Sequence, residues 1–213
     1  MSGLQITEIF YSLQGESNTV GIPTVFVRLT GCPLRCGYCD TAYAFSGGEE
    51  MSLEAIVERI AAFGCKQITV TGGEPLAQES CLELLTSLCD KDYLVSLETS
   101  GALDLTEVDS RVTKVMDIKT PGSGEAEKNL FSNITHLTRS DQIKFVICDE
   151  QDYIWSRQVI EQEALAGISD ILMLPAYGEQ DPVVLAEWIL RDRLPVRFQM
   201  QLHKQLWGDA KGK

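Results

Sequence analysis

Thr24-Val-Phe-Val-Arg-Leu-Thr30, followed at once by Gly31-Cys-Pro-Leu-Arg-Cys-Gly-Tyr-Cys-Asp-Thr41, is the stretch on which the reading of this chain turns. Its first half is β-branched and aromatic, the composition of a strand, with Arg28 interrupting the apolar run. Its second half holds Cys32, Cys36 and Cys39 at Cys-x3-Cys-x2-Cys spacing, close enough for one loop to turn three sulfurs onto one metal centre. Thiolates select soft metals. A closed zinc site or an electron-transfer cluster is normally held by four protein ligands, so three cysteines leave one position open. Two readings follow from the residues alone. One is a zinc knuckle completed by Asp40 or a distant Cys or His; the other is a four-iron four-sulfur (4Fe-4S) cluster whose fourth iron can bind a small molecule.

Outward from that loop, 213 residues with 44% hydrophobic content suffice for one sizeable core, and a single domain spanning 1–213 is expected. The formal charge of -13, from 31 acidic and 18 basic residues, opposes contact with a polyanion unless a local basic patch overrides it, so no nucleic-acid partner is expected. Of seven cysteines three share the loop, while Cys65, Cys81, Cys89 and Cys148 are scattered and read as small apolar core residues. That is the pattern of a reducing compartment. The start carries no basic region followed by an apolar run, and no stretch has the length of a bilayer span, which predicts a soluble, cytoplasmic protein with no membrane partner.

Gln5 to Phe10 alternates as a short strand, and Ser12 to Ser17 reads as a polar turn. Leu53, Ile56, Val57, Ile60 and Phe63 keep helical spacing, with Ser52 placed to cap and Gly64 to end the helix. Gln67 to Thr71 is a strand running into Gly72-Gly73-Glu74-Pro75. A helix with Cys81, Leu84, Leu85 and Leu88 inward leads to the strand Tyr93 to Leu97 and the turn Glu98-Thr99-Ser100-Gly101. Strands Lys114 to Ile118, Gln142 to Ile147 and Ile171 to Leu174 follow, the first of them running into a Gly/Pro loop at Thr120 to Gly124. Asp152 is placed to cap a helix through Trp155 and Val159, and Asp181 to cap one opening on Pro182. Val196 to Leu202 reads as a last strand, with a mobile tail from Gly208.

Six strands separated by helices imply a parallel sheet with ligands at the carboxyl ends of its strands. Eight βα units would not fit the length, so the fold class is α/β, a partial (β/α)6 barrel. The cluster loop, Gly72-Gly73-Glu74-Pro75, the turn at Glu98 and the loop after Ile118 each follow a strand, which gathers them around one cavity. Two glycines let a ligand approach the backbone, and Glu74 offers a carboxylate there.

The cysteine triad with Tyr38 just before its last member, followed by Gly72-Gly73-Glu74-Pro75, resembles the radical S-adenosylmethionine (SAM) superfamily. Leu13-Gln14-Gly15-Glu16, Arg28, Cys39-Asp40-Thr41, Glu98-Thr99-Ser100-Gly101 and Gln201-Leu202-His203-Lys204 narrow the resemblance, nearly end to end, to the 7-carboxy-7-deazaguanine synthase family. That resemblance implies a lyase converting 6-carboxy-5,6,7,8-tetrahydropterin to 7-carboxy-7-deazaguanine and ammonia, on the route to queuosine and other deazapurines. It implies a 4Fe-4S cluster, SAM and Mg2+ as cofactors. The partners it implies are a small-molecule pterin, an external one-electron reductant of flavodoxin or ferredoxin type, and a second copy in a homodimer.

Carried over by residue, the resemblance puts Cys32, Cys36 and Cys39 on the cluster and Thr41 on magnesium. Tyr38, Cys39, Asp40, Glu74, Gly101 and Gln142, Ile143 and Lys144 fall around SAM, and Leu13, Gln14, Gly15, Arg28, Thr99 and His203 around the pterin. Lys119-Thr120-Pro121-Gly122 and Leu174-Pro175-Ala176 depart from the family pattern. Arg28 read alone could equally snorkel from an edge strand to a surface acid, Thr41 could cap a helix, and His203 could be a wall residue. The competing functions are another small radical SAM enzyme, such as a glycyl-radical activase, and a non-catalytic zinc or iron-sulfur module.

Overall fold

The computed structural model describes residues 3–213. Six parallel strands form its frame: β2 (Pro23–Leu29), β4 (Gln67–Gly72), β5 (Leu94–Thr99), β6 (Thr113–Asp117), β7 (Gln142–Ile147) and β8 (Asp170–Pro175). The antiparallel β1 (Gly3–Leu13) and β3 (Glu49–Ser52) extend one edge, and the two-residue β9 (Arg197–Phe198) ends the other, giving the order β3-β1-β2-β4-β5-β6-β7-β8-β9. The sheet is curved but not closed, the partial barrel that the strand count implies. Among the described residues no helix is long and apolar enough to cross a membrane.

Alternation along the strands separates two environments. Val25, Val27, Ile68, Val70, Val95, Leu97, Ile143, Phe145, Ile171 and Met173 face outward and belong to one continuous apolar core. The helices α1 (Leu53–Ala61), α2 (Ser80–Asp90), α3 (Glu150–Gln162) and α4 (Pro182–Asp192) cover that face. The alternate positions carry Arg28, Thr69, Thr71, Ser96, Glu98, Asp117, Gln142 and Lys144 together with Phe26, Val115 and Val146, so the barrel interior mixes polar and charged groups with a few apolar ones. Strands apolar on one face and polar on the other in a parallel sheet need a hydrogen-bonding interior, and this one has it: Thr69 and Ser96 share a hydrogen bond of 2.8 Å and Thr71 donates to Glu98 at 2.9 Å.

Local chemistry sets the helix starts. Ser52 accepts from the Ala55 N–H, and Asp181 from those of Val183 and Val184 with Pro182 in the first turn, as the sequence predicts. Asp152 is a correction. Asp149 caps α3, while Asp152 sits inside the first turn and accepts from Thr120 Oγ1 and from the Gly122 and Cys148 N–H groups. It braces the loop after β6, a long-range task that sequence spacing does not reveal. Four further expectations shift. β1 runs on through Ser12 and Leu13, because their backbones pair with Thr24 and Pro23. Phe63 lies beyond the end of α1, partly exposed and stacked on Tyr11. The crossovers flanking β6 use turns and 3-10 segments in place of α-helices. Val196 to Leu202 holds only β9, and Leu202 starts a short helix, α5 (Leu202–Trp207).

Candidate active site

A cavity of about 390 Å3 opens at the carboxyl ends of the strands and is lined by segments from both chain ends. Cys32, Cys36 and Cys39 all line it, and all seven cysteines are free. The loop holding them is fixed from three sides. Gly31 N–H bonds to Ala44 O, Gly37 N–H to Ser123 O, and Glu74 N–H to Gly31 O. Gly73 is pressed so closely on this loop that a Cβ there would lie 2.1 Å from Gly31 O, so only glycine permits the contact.

Burial pushes the Cys36 thiol up to about 11 against the pull of Lys119, and raises that of Cys32 as well. A bound cation would reverse that preference, because metal ligation draws thiols into the thiolate form. Among the described residues no three His, Cys, Asp or Glu side chains gather tightly enough to hold a single metal ion. Three free sulfurs around a common cavity fit a cluster held by three thiolates with one iron left open.

Thr41 precedes the 3-10 turn Ala42–Phe45 but makes no side-chain capping bond; its hydroxyl faces Cys39 Sγ at 3.7 Å. The cap reading is thus removed, and an oxygen is left pointing into the cavity beside the cysteine loop. Arg28 does not snorkel from an edge, since β2 lies between β1 and β4. Its Nε donates to Glu8 at 2.8 Å, and its two terminal nitrogens have no hydrogen-bond partner among the described residues.

Glu74, expected beside SAM, is engaged within the protein in this structure. Its carboxylate is fully buried and turned from the cavity, accepting from Thr99 Oγ1 at 2.9 and 3.0 Å, from Ser100 N–H at 2.7 Å and from Leu76 N–H at 3.1 Å. It locks the Gly-Gly turn to the turn after β5, and Gly72 and Gly73 meet the cavity in its place. Thr99 lines the cavity with its hydroxyl committed to Glu74 and to the Gly101 N–H. Gly101 itself packs on Met116, outside the lining. Of Gln142, Ile143 and Lys144 only Lys144 enters the cavity: Ile143 lies in the outer core, and Gln142 accepts from the Asn18 N–H. Successive strand residues point to opposite faces, so three in a row cannot line one wall.

Leu13, Gln14 and Gly15 line the cavity, as do Tyr38 and Asp40. Gln14 Nε2 donates to Thr69 and Glu98. Gly15 has no side chain because His203 occupies the space: a Cβ there would lie 2.1 Å from His203 Nδ1. Asp40 is approached by His203 Nε2 at 3.5 Å and by Lys204 Nζ at 3.9 Å. Burial favours the neutral Asp40 carboxyl, but His203, Lys204 and Arg28 outweigh it and hold its pKa at about 2. The tail beyond Gly208 lies against the cavity, with Lys211 Nζ 4.4 Å from the Tyr43 ring centre.

Sequence reasoning named Lys144 and Glu16 but missed the ion-pair wall they build with Asp117 and Lys119 beside the cysteine loop. Lys144 Nζ lies 2.6 Å from Glu16 and 3.2 Å from Asp117, which also takes Lys119 at 3.0 Å. Burial works against the Lys144 cation, yet Asp117 and Glu16 outweigh it and hold its pKa well above the usual lysine value. Asp117 is held below the usual carboxylate range despite burial, by Lys119 and Lys144. The available signal was a charged residue at alternate positions of otherwise apolar strands. Asp117 Oδ1 and the Tyr38 hydroxyl are buried without a partner, two polar atoms in the lining that are left for a ligand.

Comparison with known proteins agrees with this geometry. Residues 26–116 match the model of the radical SAM superfamily. A 7-carboxy-7-deazaguanine synthase from Chlorobaculum tepidum is 46% identical over 98% of this chain and 97% of its own length. One from Thermoplasma acidophilum is 34% identical over 97% and 99%. Among solved structures, QueE from Escherichia coli superposes with a TM-score of 0.77 at 22% identity, covering 94% of this chain and 95% of that one. SuiB of Streptococcus suis, solved with S-adenosylmethionine, matches with a TM-score of 0.57 at 13% identity over 83% of this chain and 47% of that one.

Proposed function

This chain belongs to the 7-carboxy-7-deazaguanine synthase family of radical SAM enzymes, and we propose that it converts 6-carboxy-5,6,7,8-tetrahydropterin to 7-carboxy-7-deazaguanine and ammonia on the route to queuosine. The observation that carries this reading is one cavity with three free thiols on one side and the unsatisfied end of the Arg28 guanidinium on another. A glycyl-radical activase would need a protein-sized opening and has no use for a buried carboxylate receptor.

In this reading Cys32, Cys36 and Cys39 hold a 4Fe-4S cluster. The cluster and SAM, when bound, supply the one-electron chemistry that removes a hydrogen atom from the pterin. Tyr38, Cys39 and Asp40 line the SAM side with the Gly72-Gly73 backbone and Lys144. Leu13, Gln14, Gly15, Thr99 and His203 wall the pterin, and the Arg28 fork takes its carboxylate with a geometry lysine cannot reproduce. Thr41 offers one oxygen to Mg2+, a hard ion that takes its remaining ligands from substrate and water. The chain's own contribution is positioning and exclusion of water.

A reductant of flavodoxin or ferredoxin type, a homodimer and a cytoplasmic location complete the proposal. With a formal charge of -13 the enzyme acts on the free pterin and not on tRNA. Anaerobic turnover of the carboxypterin with SAM and dithionite tests the reading. Methionine, 5′-deoxyadenosine and a product with the mass of the deazaguanine are expected; SAM cleavage that the pterin neither stimulates nor couples to a new product overturns it.

A further inference from the structure

Arg28 projects from the middle of a sheet, and the sheet deforms to give it a partner. Along the β1·β2 pair Ile6 faces Leu29, but the next opposed pair is Glu8 with Arg28, so Thr7 is the extra residue of a β-bulge. In regular register Thr7 would face Arg28, and Glu8 would turn into the outer core beside Val27. The bulge therefore brings Glu8 to the cavity face.

Glu8 Oε1 accepts from Arg28 Nε at 2.8 Å and from the Tyr43 hydroxyl at 2.7 Å. Phe10 and Tyr43 flank the guanidinium, with its carbon 5.8 and 6.0 Å from their ring centres, and Phe10 is itself stacked on Phe26 at 5.0 Å. One nitrogen of the fork is thus tethered, both neighbouring rings are braced, and the other two nitrogens stay open to the cavity. A carboxylate that only neutralised Arg28 would be expected to engage the open fork as well, since the bidentate arrangement is the stronger one.

We propose that Glu8 and Tyr43 are positioning residues that hold the Arg28 fork toward an incoming planar carboxylate, and so set the preference for carboxylated over uncarboxylated pterin. This rests on the function proposed above. Orientation, not charge, is the means, because Glu8 and the nearby Asp40 are themselves negative and would by charge alone repel an anion. The neutral Glu8→Gln retains an oxygen able to accept from both Arg28 and Tyr43, whereas Glu8→Ala releases the fork.

The test is calorimetric titration of the cluster-loaded, unreduced enzyme with SAM present, so that nothing turns over. The ligands are 6-carboxytetrahydropterin and tetrahydropterin without the carboxylate. Glu8→Ala should weaken the first about tenfold, the loss of one well-oriented charged hydrogen bond, and leave the second unchanged. Glu8→Gln should stay within about threefold of wild type, and Tyr43→Phe should cost about threefold for the carboxylated ligand alone. The double variant Glu8→Ala/Tyr43→Phe should be no weaker than Glu8→Ala, since both act through one oxygen. Should Glu8→Ala fail to fold, the selectivity of Tyr43→Phe and the tolerance of Glu8→Gln decide the matter. Equal losses for both ligands, or a carboxylate preference that survives the variants, overturn the positioning role alone. A wild type that does not bind the carboxypterin overturns the proposed function with it.

Discussion

The cysteine loop and the charged wall face the same cavity but are completed by opposite means. The loop is eleven consecutive residues, Gly31 to Thr41, whose three cysteines are free, with burial raising the thiols of Cys36 and Cys32. The wall is assembled from Glu16, Asp117, Lys119 and Lys144 on separate segments, with Glu16 and Lys144 separated by 128 residues, and its charges pair with each other, leaving only Asp117 Oδ1 open. One region is finished by a ligand, the other mainly by the fold. Damage to the first should therefore cost chemistry, and damage to the second should cost stability.

The largest effect sharpens the first half of that contrast. Cys36→Ala should abolish deoxyadenosine formation while leaving the urea midpoint unchanged, because the loop adds little beyond Leu34 to the buried apolar residues; full SAM cleavage by this variant would remove the cluster assignment. Lys144→Met strikes the wall and removes the cation that Glu16 and Asp117 share, leaving Glu16 only its bond from Gln201 and Asp117 only Lys119, with each carboxylate about one tenth exposed. A loss of about 3 kcal/mol in unfolding free energy is expected, the scale of a broken buried pair. An unchanged urea midpoint would mean that the wall, like the loop, waits for its ligand.

Thr41→Ala lies between the two. It should keep the cluster and slow SAM cleavage, lower pterin turnover about tenfold and shift its dependence on magnesium, as removal of one ligand oxygen loosens an ion. Normal turnover with the wild-type magnesium response would leave that hydroxyl without the proposed role. The smallest effect is the control. Arg111→Ala removes an exposed pair with Asp90 and Asp109 far from the cavity and should change neither turnover nor midpoint measurably.

The same contrast explains what could be read from sequence. The cysteine spacing, the strand ending at Thr30, the Ser52 and Asp181 caps and the six parallel strands are all local patterns, legible within a window of a few residues. Glu74 was legible as part of a turn, but the partners of its carboxylate were not, because Thr99 and Ser100 lie at the end of the next strand and in the turn after it. Asp152 looked like a cap for the same reason: an acid at a helix start is ambiguous until the loop it braces is known. Lys144 entered the prediction only through a resemblance and brought two neighbours that face elsewhere. Glu8 gave no signal at all, since a one-residue bulge changes which face a side chain takes without changing composition.

The turn from Gln14 to Ser17 meets the last stretch of the chain directly: Leu202 N–H bonds to Gly15 O, Gln199 to Ser17 O and Gln201 to Glu16, the last two across 182 and 185 residues of sequence. Such contacts carry the greatest loop-closure cost and form late in folding. During synthesis at about 5–20 residues per second, the first wall of the pocket must wait roughly ten seconds or more for its counterpart to emerge. The strands and the cysteine loop can be in place by then, so the pocket is the last part of the molecule to be finished, and a nascent chain stalled before Gln199 would carry the cysteines without an enclosed place for a substrate.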